Sequence, residues 1–221
     1  LSQRKPAFTR ERFPSIYERA LACGVDISQE PIPVAPAAHY TCGGVYTSLN
    51  GRSSVANLNA IGETACTGLH GANRLASTSL LECLVSAKLT AKADVEDLSR
   101  ETFQLPDVKE WISPERPADE VLIQQDMRLI KSTMWNYVGL IRSPRRLQRA
   151  RRILGQLDEE ISSFYAGARL TRALVELRNA VKAALLVVHA ASLNPESKGS
   201  HYIAAEEEEI EGPLQPYDEG K

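Results

Sequence analysis

The sequence predicts an α+β chain in which a mixed first part is followed by an antiparallel three-helix bundle. Three observations predict it. Apolar residues recur at steps of three and four in three separate stretches of the second half. The first half is broken by glycines and prolines into short apolar runs with strand-like patterning. Between them a glycine-bearing loop enters a helix at Ser79-Leu80-Leu81-Glu82, whose S-x-x-E spacing predicts a capping box.

Taken in order, residues 13–21 read as a helix with Pro14 in its first turn and Gly24 past its end. A Pro-broken extended stretch follows at Pro31, Pro33 and Pro36. Residues 40–49 predict a strand of a hairpin turning at Asn50-Gly51, a pair suited to a type I′ turn. Residues 58–61 predict a short buried strand ending in Gly62-Glu63, and the helix from Ser79 is expected to run to about residue 93. In the second half the first stripe is Ile123, Met127, Ile130, Met134, Val138 and Ile141. The second begins at Ser143-Pro144 and carries Leu147, Ala150, Leu154, Leu157, Ile161 and Phe164; the third carries Leu170, Leu174, Leu177, Val181, Leu185 and Val188. Three stripes facing one another make a small bundle, and short connections set its helices antiparallel. The expected organisation is therefore a first segment over 1–93, a connection over 94–117, the bundle over 118–203 and a disordered acidic tail over 204–221.

With 43% hydrophobic and 24% charged residues the chain has the make-up of an ordinary soluble globular protein. A net charge of −2 gives no pull toward nucleic acid or an anionic membrane. No apolar run reaches the roughly 20 residues that span a bilayer. The start at Leu1 shows no signal peptide and suggests a processed or partial chain. Cys23, Cys42, Cys66 and Cys83 form no C-x-x-C pair, which argues against a zinc site or a disulfide scaffold and fits the cytoplasm or, alternatively, a plastid stroma. The basic run Arg142, Arg145, Arg146, Arg149, Arg151 and Arg152 lies beside Asp158, Glu159 and Glu160 and reads as a solvated face or inter-domain contact, not a nucleic-acid surface. His189, in an apolar helix, reads as a packing residue.

Three motifs carry chemistry. In His39-Tyr40-Thr41-Cys42-Gly43-Gly44 a histidine that can donate to an anion precedes two glycines, whose missing Cβ atoms admit a flat ligand; a core histidine beside a β-bulge fits the hexapeptide equally well. The run from Thr67 to Glu82 brings free N–H groups and a positive dipole to a helix start. Arg74, inside that loop, can grip a carboxylate with a two-pronged contact, although a solvated arginine explains it as simply. Ala60-Ile61-Gly62-Glu63 ends a strand in a carboxylate able to accept from sugar or ribityl hydroxyls.

Together these motifs resemble the flavoprotein family of L-aspartate oxidase, succinate dehydrogenase and fumarate reductase, most closely its L-aspartate oxidase branch. The resemblance extends to Phe13-Pro14-Ser15-Ile16-Tyr17 upstream and to Leu177-Arg178-Asn179 and Glu196-Ser197-Lys198-Gly199-Ser200-His201-Tyr202 downstream. It implies FAD as cofactor and residues 1–93 as the C-terminal part of an FAD-binding domain with the edge of a capping domain. It implies that His39 and Arg74 hold the carboxylates of a small dicarboxylate, L-aspartate, and that Glu63 meets FAD hydroxyls. Ser79 and Leu80 would set backbone N–H groups against the flavin, with Gly43 and Gly44 beside it. The implied reaction is oxidation of L-aspartate to iminoaspartate in de novo NAD (quinolinate) biosynthesis, with oxygen or fumarate reoxidising the flavin, which makes quinolinate synthase a candidate partner.

The chain has no G-x-G-x-x-G fingerprint after a strand. The family's acid/base arginine belongs to a segment upstream of Leu1, so no catalytic residue is expected here and the missing N-terminal FAD-binding segment is itself an expected partner. Asn57, Asn59 and Lys198 depart from the family pattern. The rival readings are a succinate dehydrogenase or fumarate reductase flavoprotein subunit, and a non-catalytic remnant that binds a partner through its bundle.

Overall fold

A computed structural model describes residues 5–34, 38–99, 106–110, 112 and 114–204. Residues 205–221 of the acidic tail and residues 100–105, 111 and 113 of the connection lie outside the described residues, as does Pro36. The chain divides into two compact units, Leu1–Ala37 and Ala38–Lys221.

The first unit holds two helices, α1 (Pro6–Arg12) and α2 (Pro14–Ala22). Each starts on a proline, which has no N–H to leave unpaired and a backbone angle already set for a helix. Helix α2 and the positive φ of 84° at Gly24 match the sequence reading. Helix α1 was not foreseen, because seven residues are too few to show a stripe. Asp26 organises the turn that follows: its carboxylate accepts from the Ser28 amide at 2.9 Å and from Gln29 Nε2 at 2.8 Å.

The second unit holds the remaining elements: β1 (Val45–Tyr46), a 3-10 turn at Gly62–Thr64, β2 (Ala65–Cys66), α3 (Ser79–Leu98), α4 (Glu120–Val138), β3 (Ile141–Arg142), α5 (Pro144–Gly167), α6 (Arg172–Leu193) and β4 (Tyr202–Ile203). The mixture of helix with little strand agrees with the expected class. The antiparallel sense does not carry over to the strands, since both ladders are parallel, β1 with β2 and β3 with β4. The hairpin expected at 40–49 does not form. Asn50 keeps an ordinary φ and only Gly51 turns positive, at 78°, so no type I′ turn can close there. The antiparallel contact is instead a single bridge between Arg52 and Asn59, and the strand expected at 58–61 shrinks to that bridge.

Helices α4, α5 and α6 pack on one another over a common core of Ile123, Ile130, Val138, Leu147, Ala150, Leu154, Leu157, Ile161, Leu174, Leu177, Val181 and Val188. These are positions of the three stripes; Met127, Met134, Phe164, Leu170 and Leu185 lie at its margin. Ile141 leaves the helix and enters β3 because the chain breaks at Gly139. Each helix start is capped by a side-chain oxygen: Asp119 accepts from Val121, Ser143 from Arg146 and Thr171 from Leu174. Arg149 stacks on the Tyr137 ring, 5.5 Å to its centroid, so part of the basic run braces the bundle. His189 is exposed, not packed, because it falls one step past the buried Val188. No helix among the described residues is long and apolar enough to cross a membrane.

Leu154 and Leu177 have no exposed surface. Truncating either to Ala leaves a cavity where the helices meet and is expected to cost about 2–5 kcal/mol in urea unfolding, whereas Thr171→Ala, which removes only a cap, should cost about 1 kcal/mol. Equal losses for the three variants would contradict this core.

Candidate functional site

Glu82 is the anchor of the region that holds the predicted site residues. It lies one turn inside α3, with its side chain 4% exposed. Its carboxylate accepts three hydrogen bonds, from Thr67 Oγ1 at 2.6 Å, from the His70 ring at 2.6 Å and from the Tyr40 hydroxyl at 3.3 Å. The capping box read from Ser79-x-x-Glu82 is therefore not formed. Ser79 is the first helical residue, Thr78 occupies the cap position, and no side chain caps the helix. Burial pushes the Glu82 carboxyl up, but the hydrogen bonds from Thr67 and His70 and the charge of His70 outweigh it, so it titrates below its ordinary range. Tyr40 moves the other way: burial and the neighbouring Glu82 charge raise its hydroxyl.

This cluster seats Arg74. The guanidinium lies over the Tyr40 ring, 4.9 Å to the centroid, and His70 meets the same ring edge-on at 5.2 Å. Arg74 Nη1 donates to the Leu75 carbonyl at 3.3 Å. Its Nε is buried and has no partner among the described residues. A buried charged donor left unpaired is costly unless a ligand completes it. His39, next in sequence to Tyr40, is exposed and its side chain makes no hydrogen bond or ion pair among the described residues. The structure thus brings Arg74 onto the residue beside His39, with donors on both side chains to spare.

The remaining predicted residues fall around this centre. Glu63, in the 3-10 turn, accepts from the Thr41 amide at 3.1 Å, which ties the segment carrying His39 to the turn; its second carboxylate oxygen has no partner among the described residues. Gly44 has φ of 139°, and a Cβ there would overlap the Thr64 carbonyl oxygen. Its missing side chain therefore makes room for the neighbouring chain, not for a ligand. Gly43 faces open space, with only the Thr41 carbonyl within 4 Å. At the uncapped start of α3, the amides of Ser79 and Leu80 have no intrahelical acceptor. They lie among exposed apolar side chains, Leu75, Leu80, Leu81 and Leu84.

These features fit a flavin: free helix-start amides, an apolar helix face, an unfilled position at Gly43 and an orphaned arginine donor. Sequence reasoning missed the part played by Glu82 and Thr67 and left His70 undecided. His70 and Tyr40 belong to motifs already singled out, but nothing local to Glu82 says that it turns inward.

Because Glu82 titrates below its unfolded value, the stability it supplies is complete above the ordinary carboxylate range and is lost as pH falls through its depressed folded value. Glu82→Gln is expected to flatten acid unfolding of this region as pH falls through and below the ordinary carboxylate range, read by amide hydrogen exchange in the 67–78 loop corrected for its intrinsic pH dependence. A variant as acid-sensitive as the wild type would show that the carboxylate is not what holds the loop.

Comparison with known proteins agrees with this geometry. Residues 5–80 match the model of an FAD binding domain, and residues 127–208 match a fumarate reductase flavoprotein C-terminal model. L-Aspartate oxidase of Acinetobacter baylyi is 44% identical over 91% of this chain and 37% of its own length. That of Pseudomonas aeruginosa is 46% identical over 90% and 37%, and the chloroplastic enzyme of Arabidopsis thaliana is 40% identical over 86% and 32%. Among solved structures, a quinol-fumarate reductase with menaquinol molecules superimposes with a TM-score of 0.77 at 30% identity, covering 94% of this chain and 39% of the other. A quinol fumarate reductase of E. coli gives 0.75 at 29% identity, covering 94% and 38%. The chain spans less than two fifths of the length of these proteins. With two parts of one flavoprotein architecture matched in order, FAD is the cofactor to which its folds correspond, and the chain belongs to the succinate dehydrogenase/fumarate reductase flavoprotein family.

Proposed function

We propose that this chain is the C-terminal portion of an FAD-dependent L-aspartate oxidase, and that it supplies the carboxylate-binding half of the site that oxidises L-aspartate to iminoaspartate. The observation that carries this reading is Arg74: a guanidinium fixed on Tyr40, with a buried unpaired Nε, one residue along from an exposed histidine. Arg74 and His39 would grip the two carboxylates of one small diacid, orienting its α-carbon toward the flavin. Glu63 would take the FAD hydroxyls with its free oxygen, and the amides of Ser79 and Leu80 would lie at the electron-accepting edge, where the helix dipole favours developing negative charge. FAD supplies the two-electron acceptor. The acid/base group is assigned to the segment N-terminal to this chain, together with the pyrophosphate site, and that segment is proposed to cover the apolar face of α3.

The wider setting of the proposal is the entry step of de novo NAD biosynthesis, with oxygen or fumarate as final oxidant and quinolinate synthase as the consumer of the product. It places the protein in the cytoplasm or, as the name of the Arabidopsis relative suggests, a plastid stroma. The structural likeness to fumarate reductases favours a second reading, a subunit acting on succinate or fumarate.

Turnover by the full-length protein separates the two: aspartate oxidised and succinate not supports the first, the reverse the second. In the same protein Arg74→Leu should lose a charge-assisted contact of about 1.5–3 kcal/mol, roughly 10- to 150-fold in kcat/KM for aspartate. Unchanged turnover in that variant would remove the basis of the reading. Residues 1–221 expressed alone should neither retain FAD nor oxidise aspartate; a yellow, active preparation would contradict the division of the site.

A further inference from the structure

The geometry points to the turn at Lys198–His201 as a positioning element for Arg74, acting through its contact with Ala72 in the same loop. This inference rests on the reading of Arg74 as a carboxylate-binding residue. Gly199 sits in the left-handed region, φ 59°, and packs against the loop so closely that a Cβ would overlap the Ala72 carbonyl oxygen and lie 2.8 Å from the Ala72 Cβ. Ala72 is two residues from Arg74. The backbone of the turn therefore forms a wall against the loop that carries Arg74.

The wall is itself held. Lys198 and His201 exchange both backbone bonds, at 2.8 and 3.1 Å. The His201 ring is clamped on both nitrogens. Arg142 Nη1 donates to Nδ1 at 2.7 Å, and because arginine can only donate, Nδ1 is the acceptor. Nε2 then carries the hydrogen and donates to the Asn194 carbonyl, 2.9 Å away, at the end of α6. Arg142 Nε donates in turn to the carbonyls of Val138 and Gly139 at the end of α4. An unbroken set of contacts thus runs from the ends of α4 and α6 through Arg142 and His201 to Gly199 and onto the substrate-side loop. Helix α3 packs on the 3-10 turn, whereas α4, α5 and α6 pack on one another. The Lys198–His201 turn joins the ends of α4 and α6 to the loop that carries Arg74.

The test uses the FAD-loaded full-length protein and malonate as a non-reacting dicarboxylate probe, its affinity measured by titration calorimetry with FAD content checked in parallel. Gly199→Ala should weaken malonate by about tenfold, since a displacement of order 1 Å at a binding group has effects of that size or larger. Gly199→Asn should weaken it as much. Asparagine tolerates a positive φ but carries the same Cβ, so it separates close contact from backbone strain. His201→Phe, which keeps Gly199 and removes both ring bonds, should shift affinity in the same direction, and it carries the test if the Gly199 variants do not fold. Gly155→Ala, in open space on α5, is the control and should bind malonate as the wild type does. Wild-type affinity in Gly199→Asn or in His201→Phe overturns the proposal. If Arg74→Leu binds malonate weakly while the turn variants bind it normally, only this inference fails. If Arg74→Leu itself binds normally, the reading of the site fails with it.

Discussion

A carboxylate taken out of water must be met by donors, and the region around the site is organised by how Glu82 meets that demand. Its three donors come from two segments distant in sequence: Tyr40 before β1, and Thr67 with His70 at the start of the loop after β2. Neither segment has regular structure long enough to hold itself. The two strands nearby are two residues each, far below what is stable alone. The buried charge therefore does what a sheet does in larger folds: it fixes the relative position of separate backbone runs. Each bond to an ionised acceptor is of the stronger class, and losing one would leave a buried charge under-satisfied. The Tyr40 ring is fixed as a consequence, and Arg74 has a platform.

The use of Glu82 as an anchor has a consequence at the start of α3. A glutamate near a helix start that turns outward can satisfy its free amides, but one drawn inward leaves them open. Helix α3 accordingly begins with no side-chain cap, while α4, α5 and α6 are all capped. Helix α3 also keeps Leu80, Leu81, Leu84 and Val85 exposed. Free donors and exposed leucines on one helix end are unfavourable in water on two independent counts, and both are relieved by a ligand or chain segment that is polar at one edge and apolar over its face. A flavin with the domain that carries it has that character.

How much of this the sequence discloses follows from the range of the interactions involved. The bundle was legible because amphipathic spacing is local: a residue's face is set by neighbours three and four positions away. Leu147 through Ile161 are buried where the stripe puts them. The caps at Ser143 and Thr171 are local for the same reason. The first part was not legible in the same way. The parallel pairing of Val45 with Ala65 depends on residues twenty apart, and the Gly44 backbone answers to the Thr64 carbonyl. Ser79-x-x-Glu82 was misread because the pattern of a capping box is local, whereas the partners of Glu82 lie 12, 15 and 42 residues away. His39 and Arg74 could be singled out by type and motif. The stack of Arg74 on Tyr40, which ties the two motifs together, could not.

The departures from the family pattern can be weighed by what their atoms do. Asn59 donates to the Asp94 carboxylate at 2.7 Å, so its side chain links the bridge at Arg52 to α3. Arg52 pairs with Asp97 one turn further along the same helix. Asn57 has φ of 61°, a conformation that asparagine adopts more readily than most residues. At 198 a lysine loses the two-pronged reach of an arginine, but the contacts of Lys198 within its turn are made by its backbone amide and carbonyl. A substitution that keeps the backbone keeps the turn. The three changes therefore fall on atoms that are re-bonded locally, on a backbone shape the new residue accepts, or on a side chain the turn does not use. None reaches Tyr40, Glu82 or Arg74, which is the arrangement expected of a site whose geometry is still being held in place.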